Sequence, residues 1–401
     1  MAEHGLRAWL SRQARRAWHC LAGDGWLLAV CRAMVVTALL GLGGLLFVAA
    51  GLMPIAASEG HWAVTRAFLQ FTMRSSVRTQ TLGMEAPPLD DPGLVLKGAG
   101  HYASSCLPCH GAPGEPRALV VRRMTPEPPY LPDGFGTLRD AELFWIVRHG
   151  IKYTAMPAWP APLREDEVWA MVAFLRALPQ LEVSEFRSLA YGDTNGRNAA
   201  GPGSRRALLG QSMPTALANC QRCHGADGMG RGDGAIPRLA GLDEAYLLAS
   251  LAAFARGDRH SGIMQPVASG LDITQMRALA DHFSSLDGEG PAARCDAPEA
   301  FARGARLAAN GDPARKIPAC TACHDPGPEA LNELYPDLSG QHADYLALQL
   351  ELFRSHRRGG TAYAGLMGAA ANRLEDRDIR DLSTYYAALP TGCPNAGRTA
   401  P

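Results

Sequence analysis

The sequence predicts an all-α protein: one N-terminal transmembrane helix followed by three copies of a small helical unit. Three observations carry this prediction. Residues 33–53 form an uncharged apolar run. A five-residue pattern, Cys-x-x-Cys-His, occurs three times, ending at residues 110, 224 and 324. Behind each copy, apolar residues recur in steps of 3, 4 and 3, the spacing of one helix face.

The composition accommodates such a plan. The 401 residues are enough for two to four domains at roughly 100–200 residues each. With 47% hydrophobic residues the chain can bury several cores, which excludes a disordered protein. Its 39 basic residues are balanced by 39 acidic ones, so it has no basic surplus and no nucleic-acid partner is expected. The 43 Gly and 29 Pro suit loop-rich units better than long bundles.

The apolar run comes first. About 20 uncharged apolar residues span a bilayer, and residues 33–53 meet that length. A cleaved signal peptide is the rival reading, with Ala56-Ala57-Ser58 as a weak cleavage site. Arg7, Arg12, Arg15 and Arg16 precede the run and Arg32 borders it, which places the N-terminus in the cytoplasm. Residues 59–78 then carry Trp62, Phe68, Leu69 and Phe71 beside Arg66, Arg74 and Arg78. Two readings stay open there: a helix lying on the membrane surface, or a connecting helix packed on the first unit.

The three motifs are Cys106-Leu107-Pro108-Cys109-His110, Cys220-Gln221-Arg222-Cys223-His224 and Cys320-Thr321-Ala322-Cys323-His324. This is the attachment signature of c-type haem. Two thiols add across the two porphyrin vinyl groups, and the adjacent imidazole becomes the proximal iron ligand. Both thioethers and the ring must reach one macrocycle from one turn of chain, so the spacing is part of the chemistry. Zinc is the main competitor, because paired Cys and His also suit it. However, each pair stands alone inside its own apolar segment, and a trailing His has no role in a thioredoxin-like pair. Three covalently bound haem c groups are the reading.

A second axial ligand closes such an iron and makes it an electron carrier; Met in that place raises the potential. Aligning the three segments selects one Met from each. Met156, Met264 and Met367 lie 46, 40 and 43 residues beyond His110, His224 and His324. Each precedes a Leu by seven residues (Leu163, Leu271, Leu374) and stands ahead of the helical apolar pattern. That pattern runs Val168, Met171, Leu175, Leu178; Met276, Leu279, Phe283, Leu286; and Ile379, Leu382, Tyr386, Leu389. Met171 and Met276 therefore read as core residues. Met124 and Met229 are rival ligands without counterparts in the repeat, and His260 and His356 are the alternatives among the histidines.

The order of short helix, motif, loops, Met loop and closing helix resembles class I cytochrome c over residues 87–390. Met156-Pro157-Ala158 is similar to the Met loops of that family. The second and third segments also resemble each other. Ile236-Pro237-Arg238-Leu239-Ala240-Gly241 parallels Tyr335-Pro336-Asp337-Leu338-Ser339-Gly340, and Tyr246, Phe254 and Arg259 parallel Tyr345, Phe353 and Arg358. The pair is similar to the tandem dihaem cytochromes c4, whose domains pack with haem edges facing. That resemblance implies that the carbonyls of Pro237 and Pro336 accept the second N–H of the proximal imidazoles. The third segment departs by an insertion between Arg358 and Met367.

The expected organisation is a cytoplasmic segment 1–32, a transmembrane helix 33–53, an interfacial or connecting segment 54–86, and cytochrome c domains at 87–180, 205–288 and 289–394. A linker at 181–204 and a tail at 395–401 complete it. Because the terminal helices of class I cytochromes cross, the resemblance brings Cys295 and Cys393 to one end of the third domain. In an oxidising compartment this implies a disulfide, with two free thiols as the other reading. Cys20 and Cys31 read as plain thiols.

These features imply a single-pass protein of a bacterial cytoplasmic (inner) membrane with its haem domains in the periplasm, where c-type cytochromes mature. The expected role is single-electron transfer in a respiratory chain, from a quinol-oxidising complex or periplasmic dehydrogenase toward a terminal oxidase. The alternative is the cytochrome subunit of a membrane-bound alcohol or aldehyde dehydrogenase. A haem peroxidase or nitrite-reducing catalyst needs an open iron, which a Met at every site disfavours. No flavin or nicotinamide fingerprint or nucleophile motif is present, so an electron carrier rather than an enzyme is expected.

Overall fold

The computed structural model describes residues 25–192, 213–232, 234–288, 297–324 and 332–389. Cys20, Cys295 and Cys393, and the second half of the expected linker, lie outside them.

The apolar run is a helix, α1 (Trp26–Ala49), longer at its start and shorter at its end than the expected 33–53. Leu28–Ala49 is long and apolar enough to cross a membrane, with mean hydropathy 2.0. The helix begins early because Leu27, Leu28, Ala29 and Val30 continue the apolar run past Arg32. It stops where Gly51 takes a positive φ of 71° and Pro54 follows. Leu39, Leu40, Leu45 and Leu46 are all exposed, whereas Leu28 near its start is buried. A membrane anchor and a signal sequence both fit such a helix.

The rest of the described chain forms a second unit from Trp62 onward. It is helical, and no strand occurs among the described residues. Helix α2 (Ala63–Gln80) buries Val77 at its C-terminal end. There the Thr81 hydroxyl accepts a 3.1 Å bond from Arg139, which precedes the helix at Asp140–His149. Phe68 and Phe71, further up the same helix, stay exposed. This helix packs against the helix at Asp140–His149.

Three helix groups follow the repeat. In the first, α3 (Pro92–His101) starts at Asp91, whose Oδ1 accepts the Gly93 N–H at 2.8 Å. It packs against α5 (Glu165–Ala177), while α4 (Asp140–His149) lies on α5 from another side. Val168, Met171, Leu175 and Leu178 are all buried, as the 3-4-3 pattern requires. The second contains α7 (Met213–His224), α8 (Glu244–Arg256) and α9 (Ile273–Ser284), with Met276, Leu279 and Phe283 in its core. The third contains α10 (Pro298–Asn310), α11 (Ala343–Arg354) and α12 (Asp376–Ala387), around Ile379, Leu382 and Tyr386.

One expectation needs correction. Residues 183–191, placed in a linker, form helix α6 (Val183–Tyr191) and pack against α3. Phe186 and Ala190 are fully buried beside Tyr102 and Phe174. The helical spacing of Val183, Phe186 and Ala190 carried the signal, but the glycines from Gly192 onward masked it.

Glycine lets the terminal helices approach. A Cβ on Gly98 would overlap the Ala170 carbonyl and the Phe174 side chain across the α3–α5 crossing. A Cβ on Gly304 would overlap the Asp381 carbonyl and Tyr385 across α10–α12. Beside that second crossing, Arg303 holds Asp381 with two bonds of 2.7 and 2.8 Å. Gly304→Ala is therefore expected to cost about 1–3 kcal/mol, the usual scale of overpacking. Gly365→Ala, in a helical turn with open space around it, is expected to cost nothing. Thermal unfolding of the two variants checks the contrast; equal midpoints would disprove the close crossing.

Candidate haem-binding sites

The three motif histidines share one arrangement. Nδ1 of His110 lies 3.0 Å from the Pro129 carbonyl, that of His224 lies 2.9 Å from Pro237, and that of His324 lies 2.8 Å from Pro336. A carbonyl only accepts, so Nδ1 carries the proton and Nε2 presents a lone pair. Burial holds all three imidazoles below their ordinary pKa, opposed by the proline carbonyls. The neutral ring is the form that binds a metal. Pro237 and Pro336 were expected from the resemblance, whereas Pro129 was not. Its signal was a shared Pro-x-Leu: Pro129-Tyr130-Leu131, Pro237-Arg238-Leu239, Pro336-Asp337-Leu338. A longer intervening loop in the first unit hid it.

Cys106 precedes the turn Leu107–His110 and Cys109 lies within it; Cys220 and Cys223 lie on α7; Cys320 opens a 3-10 turn that Cys323 follows. Burial pushes the thiols of Cys106 and Cys220 up to about 12 and that of Cys320 to about 11. Such thiols are poor free nucleophiles.

The second and third sites open into one cavity of about 900 Å³. Cys220, Cys223, His224 and Met264 line it from one unit, and Cys320, Cys323, His324 and Met367 from the other. Met229 does not line it and instead offers its carbonyl to His342 Nε2 at 3.0 Å. Of the histidine alternatives, His260 lines the cavity, whereas His356 is exposed. In the first unit Met156 is half-buried in its loop, its N–H bonded to Thr154 Oγ1 at 3.1 Å. His101 is buried, its ring tilted against Trp159 with centroids 4.6 Å apart, and it lines the shared cavity.

The walls suit a large apolar group bearing carboxylates. Arg259 and Arg358 line the cavity, and among the described residues neither forms an ion pair. Arg259 bonds Ser250 Oγ at 2.8 Å and Tyr345 at 3.2 Å, while Arg358 bonds Gln349 at 2.6 Å and Tyr246 at 3.1 Å. Each lies over the Phe of its own unit, at 4.5 and 4.4 Å from the ring centre. Guanidiniums stay charged, and buried charges favour a counter-charge. The propionates of haem c fit that requirement, the cysteines fit its vinyl groups, and the imidazoles fit its iron.

Paired thiols, an imidazole pinned through Nδ1 and a closing helix behind a Met loop together define a c-type cytochrome. Residues 93–175 match the family described as cytochrome c oxidase, cbb3-type, subunit III, and residues 210–287 and 301–389 match the cytochrome c family. The chain is 40% identical over 179 residues to the "thiosulfate dehydrogenase electron acceptor" of Thiomonas intermedia, covering 45% of this chain and 82% of that protein. It is 33% identical over 211 residues to cytochrome c4 of Azotobacter vinelandii, covering 50% and 95%. The crystal structure of reduced cytochrome c4 from Pseudomonas stutzeri is 31% identical, with a TM-score of 0.40, over 44% of this chain and 98% of that one. This chain belongs to the class I c-type cytochrome family, and it transfers electrons through covalently bound haem c.

The two units that share the cavity are locked by a buried amide. Gln341 Oε1 accepts the Arg238 N–H and its Nε2 donates to the Arg238 carbonyl, both at 3.0 Å. Gln341→Ala leaves both backbone groups unsatisfied, at an expected cost of about 1–3 kcal/mol. Denaturant unfolding followed at the haem absorption band reads the loss; an unchanged midpoint would show that water replaces the amide.

Proposed function

We propose that this protein is a membrane-anchored three-haem cytochrome that passes single electrons along a bacterial respiratory chain. Donors are a quinol-oxidising complex or a periplasmic dehydrogenase, and the acceptor is a terminal oxidase. The observation that carries the reading is the threefold recurrence of one set: two cysteines, a histidine bonded to a proline carbonyl, and a methionine ahead of a closing helix. In this reading haem c is held at Cys106 and Cys109, at Cys220 and Cys223, and at Cys320 and Cys323. The axial pairs are His110 with Met156, His224 with Met264, and His324 with Met367.

Haem c supplies a one-electron iron couple. The protein contributes the rest. Its imidazoles are held neutral and in one tautomer, its thioethers favour the reduced iron, and its apolar walls exclude water. Two ligands from the chain at each iron leave no position for a substrate, so the reading is a carrier. Helix α1 serves as a retained anchor with the haem domains in the periplasm, which raises their effective concentration near membrane partners.

Two relatives bear on direction. The first unit matches a family named for an oxidase subunit, which favours delivery toward a terminal oxidase. Identity to a protein named as a thiosulfate dehydrogenase electron acceptor favours a periplasmic dehydrogenase as donor.

Haem quantification is expected to give three low-spin haems per chain; a ratio of two, or a high-spin fraction in the oxidised protein, would contradict the site assignment. Met156→Ala, Met264→Ala and Met367→Ala are each expected to remove the Met–iron absorption feature of one haem and lower its potential. The same loss from Met124→Ala or Met229→Ala would point to the rival ligands. For the partners, thiosulfate plus its dehydrogenase should reduce the purified protein, and membranes containing an oxidase should reoxidise it. Reduction only by an alcohol or aldehyde dehydrogenase, without transfer to oxidase, would refute the direction proposed.

A further inference from the structure

The shared cavity is closed on one side by the first unit. Lys97 and His101 from α3, with Arg164 and Glu167 from the start of α5, line it beside Cys223 and Met264. Glu167 bonds directly to the neighbouring unit. Its side chain is buried, and both oxygens are engaged. Oε1 accepts the Ser261 hydroxyl and Oε2 accepts the Gly262 N–H, each at 2.6 Å. The Ser261 oxygen in turn accepts the Met264 N–H at 3.0 Å. A carboxylate of the first unit is thus two hydrogen bonds from the backbone of the second unit's axial methionine.

The grip extends along the loop. Arg164 donates to the His260 carbonyl at 2.9 Å and pairs with Glu167 at 3.0 Å. The Trp159 indole lies against Gly262, where a Cβ would overlap the ring. The other two Met loops are held from within: Met156 N–H bonds Thr154, and Met367 N–H bonds the Tyr363 carbonyl at 3.2 Å. Adhesion alone explains little of this, because apolar packing joins two surfaces at least as well as a buried ion pair. A carboxylate with three donors aimed at it instead fixes where those donors sit.

We propose that Glu167 is a positioning residue for the Met264 loop, so that the first unit sets the axial ligation, and through it the potential, of the second haem. This rests on the reading that haem c occupies the second motif with Met264 as its ligand.

The test uses the full-length, detergent-extracted holoprotein and follows the Met–iron absorption feature, the three midpoint potentials and thermal unfolding. Glu167→Ala is expected to weaken that feature for one haem and lower its potential by about tenfold in the reduction equilibrium, about 59 mV for a one-electron couple. The other two haems keep theirs. Ser261→Ala should act in the same direction, and it removes only a hydroxyl should Glu167→Ala fail to fold. Glu167→Gln, which keeps an acceptor for Ser261, should restore most of the signal. Glu165→Ala, half-buried on the same helix and paired with Arg148 at 2.6 Å rather than with the Met264 loop, should leave all three potentials unchanged. In a Met264→Ala background, Glu167→Ala should produce no further fall.

The sign is diagnostic. Removing a negative charge near an iron raises its potential, so a rise would assign Glu167 an electrostatic role and overturn positioning. A lowered unfolding midpoint with all three potentials unchanged would make the contact structural only. If Met264→Ala alone leaves every Met–iron feature intact, the ligand assignment fails instead.

Discussion

A hydrogen bond between a ring nitrogen and a proline carbonyl governs how each unit is built. With Nδ1 committed at 2.8 to 3.0 Å, the imidazole has one tautomer, one ring plane and one free lone pair. The Pro-x-Leu segment must then return to the motif turn, so the chain loops around a volume that its own side chains leave open. The closing helix has to cross behind that volume, and at two of the crossings only glycine fits. Tautomer, loop path and helix contact are consequences of one another.

This chain of local constraints explains what could be read from the sequence. Attachment demands two thiols and a ring on one turn, and the closing helix demands a fixed apolar period. Both are local patterns, so the motifs, the cores at Met171, Leu279 and Leu382, and the all-helical class were legible. Repetition helped further, because one segment calibrated another. That is how Met264 and Met367 stood out before the cavity they line was known.

What escaped was non-local or irregular. Glu167 looks like one of three acidic residues opening a helix, where a negative charge suits the helix dipole. Nothing near it in sequence announces that Ser261 and Gly262 lie against it. Arg259 and Arg358 could be matched as a repeated pair, but the crossing of each toward the other unit's tyrosine could not. Helix α6 was missed because its apolar positions are few and border a glycine-rich stretch. The ends of α1 were misplaced because a single Arg32 does not end a helix, whereas Gly51 does.

The polar contacts are concentrated on the middle unit. It receives Glu167 and Arg164 from one side, and Gln341, Tyr345 and His342 from the other. Buried polar contacts of this kind hold a register more than they add stability, since each desolvated group gives back much of what its bond supplies. A one-electron relay gains from register, because transfer between closed sites depends on separation and orientation and needs no moving part. Apolar surfaces alone would let the units slide at little cost. Carboxylate, guanidinium and amide contacts penalise each displaced bond instead, and they fix the middle unit's Met loop on one face and the shared cavity on the other. The middle unit is therefore the least autonomous of the three, and the order of the chain places it between two partners that define its geometry.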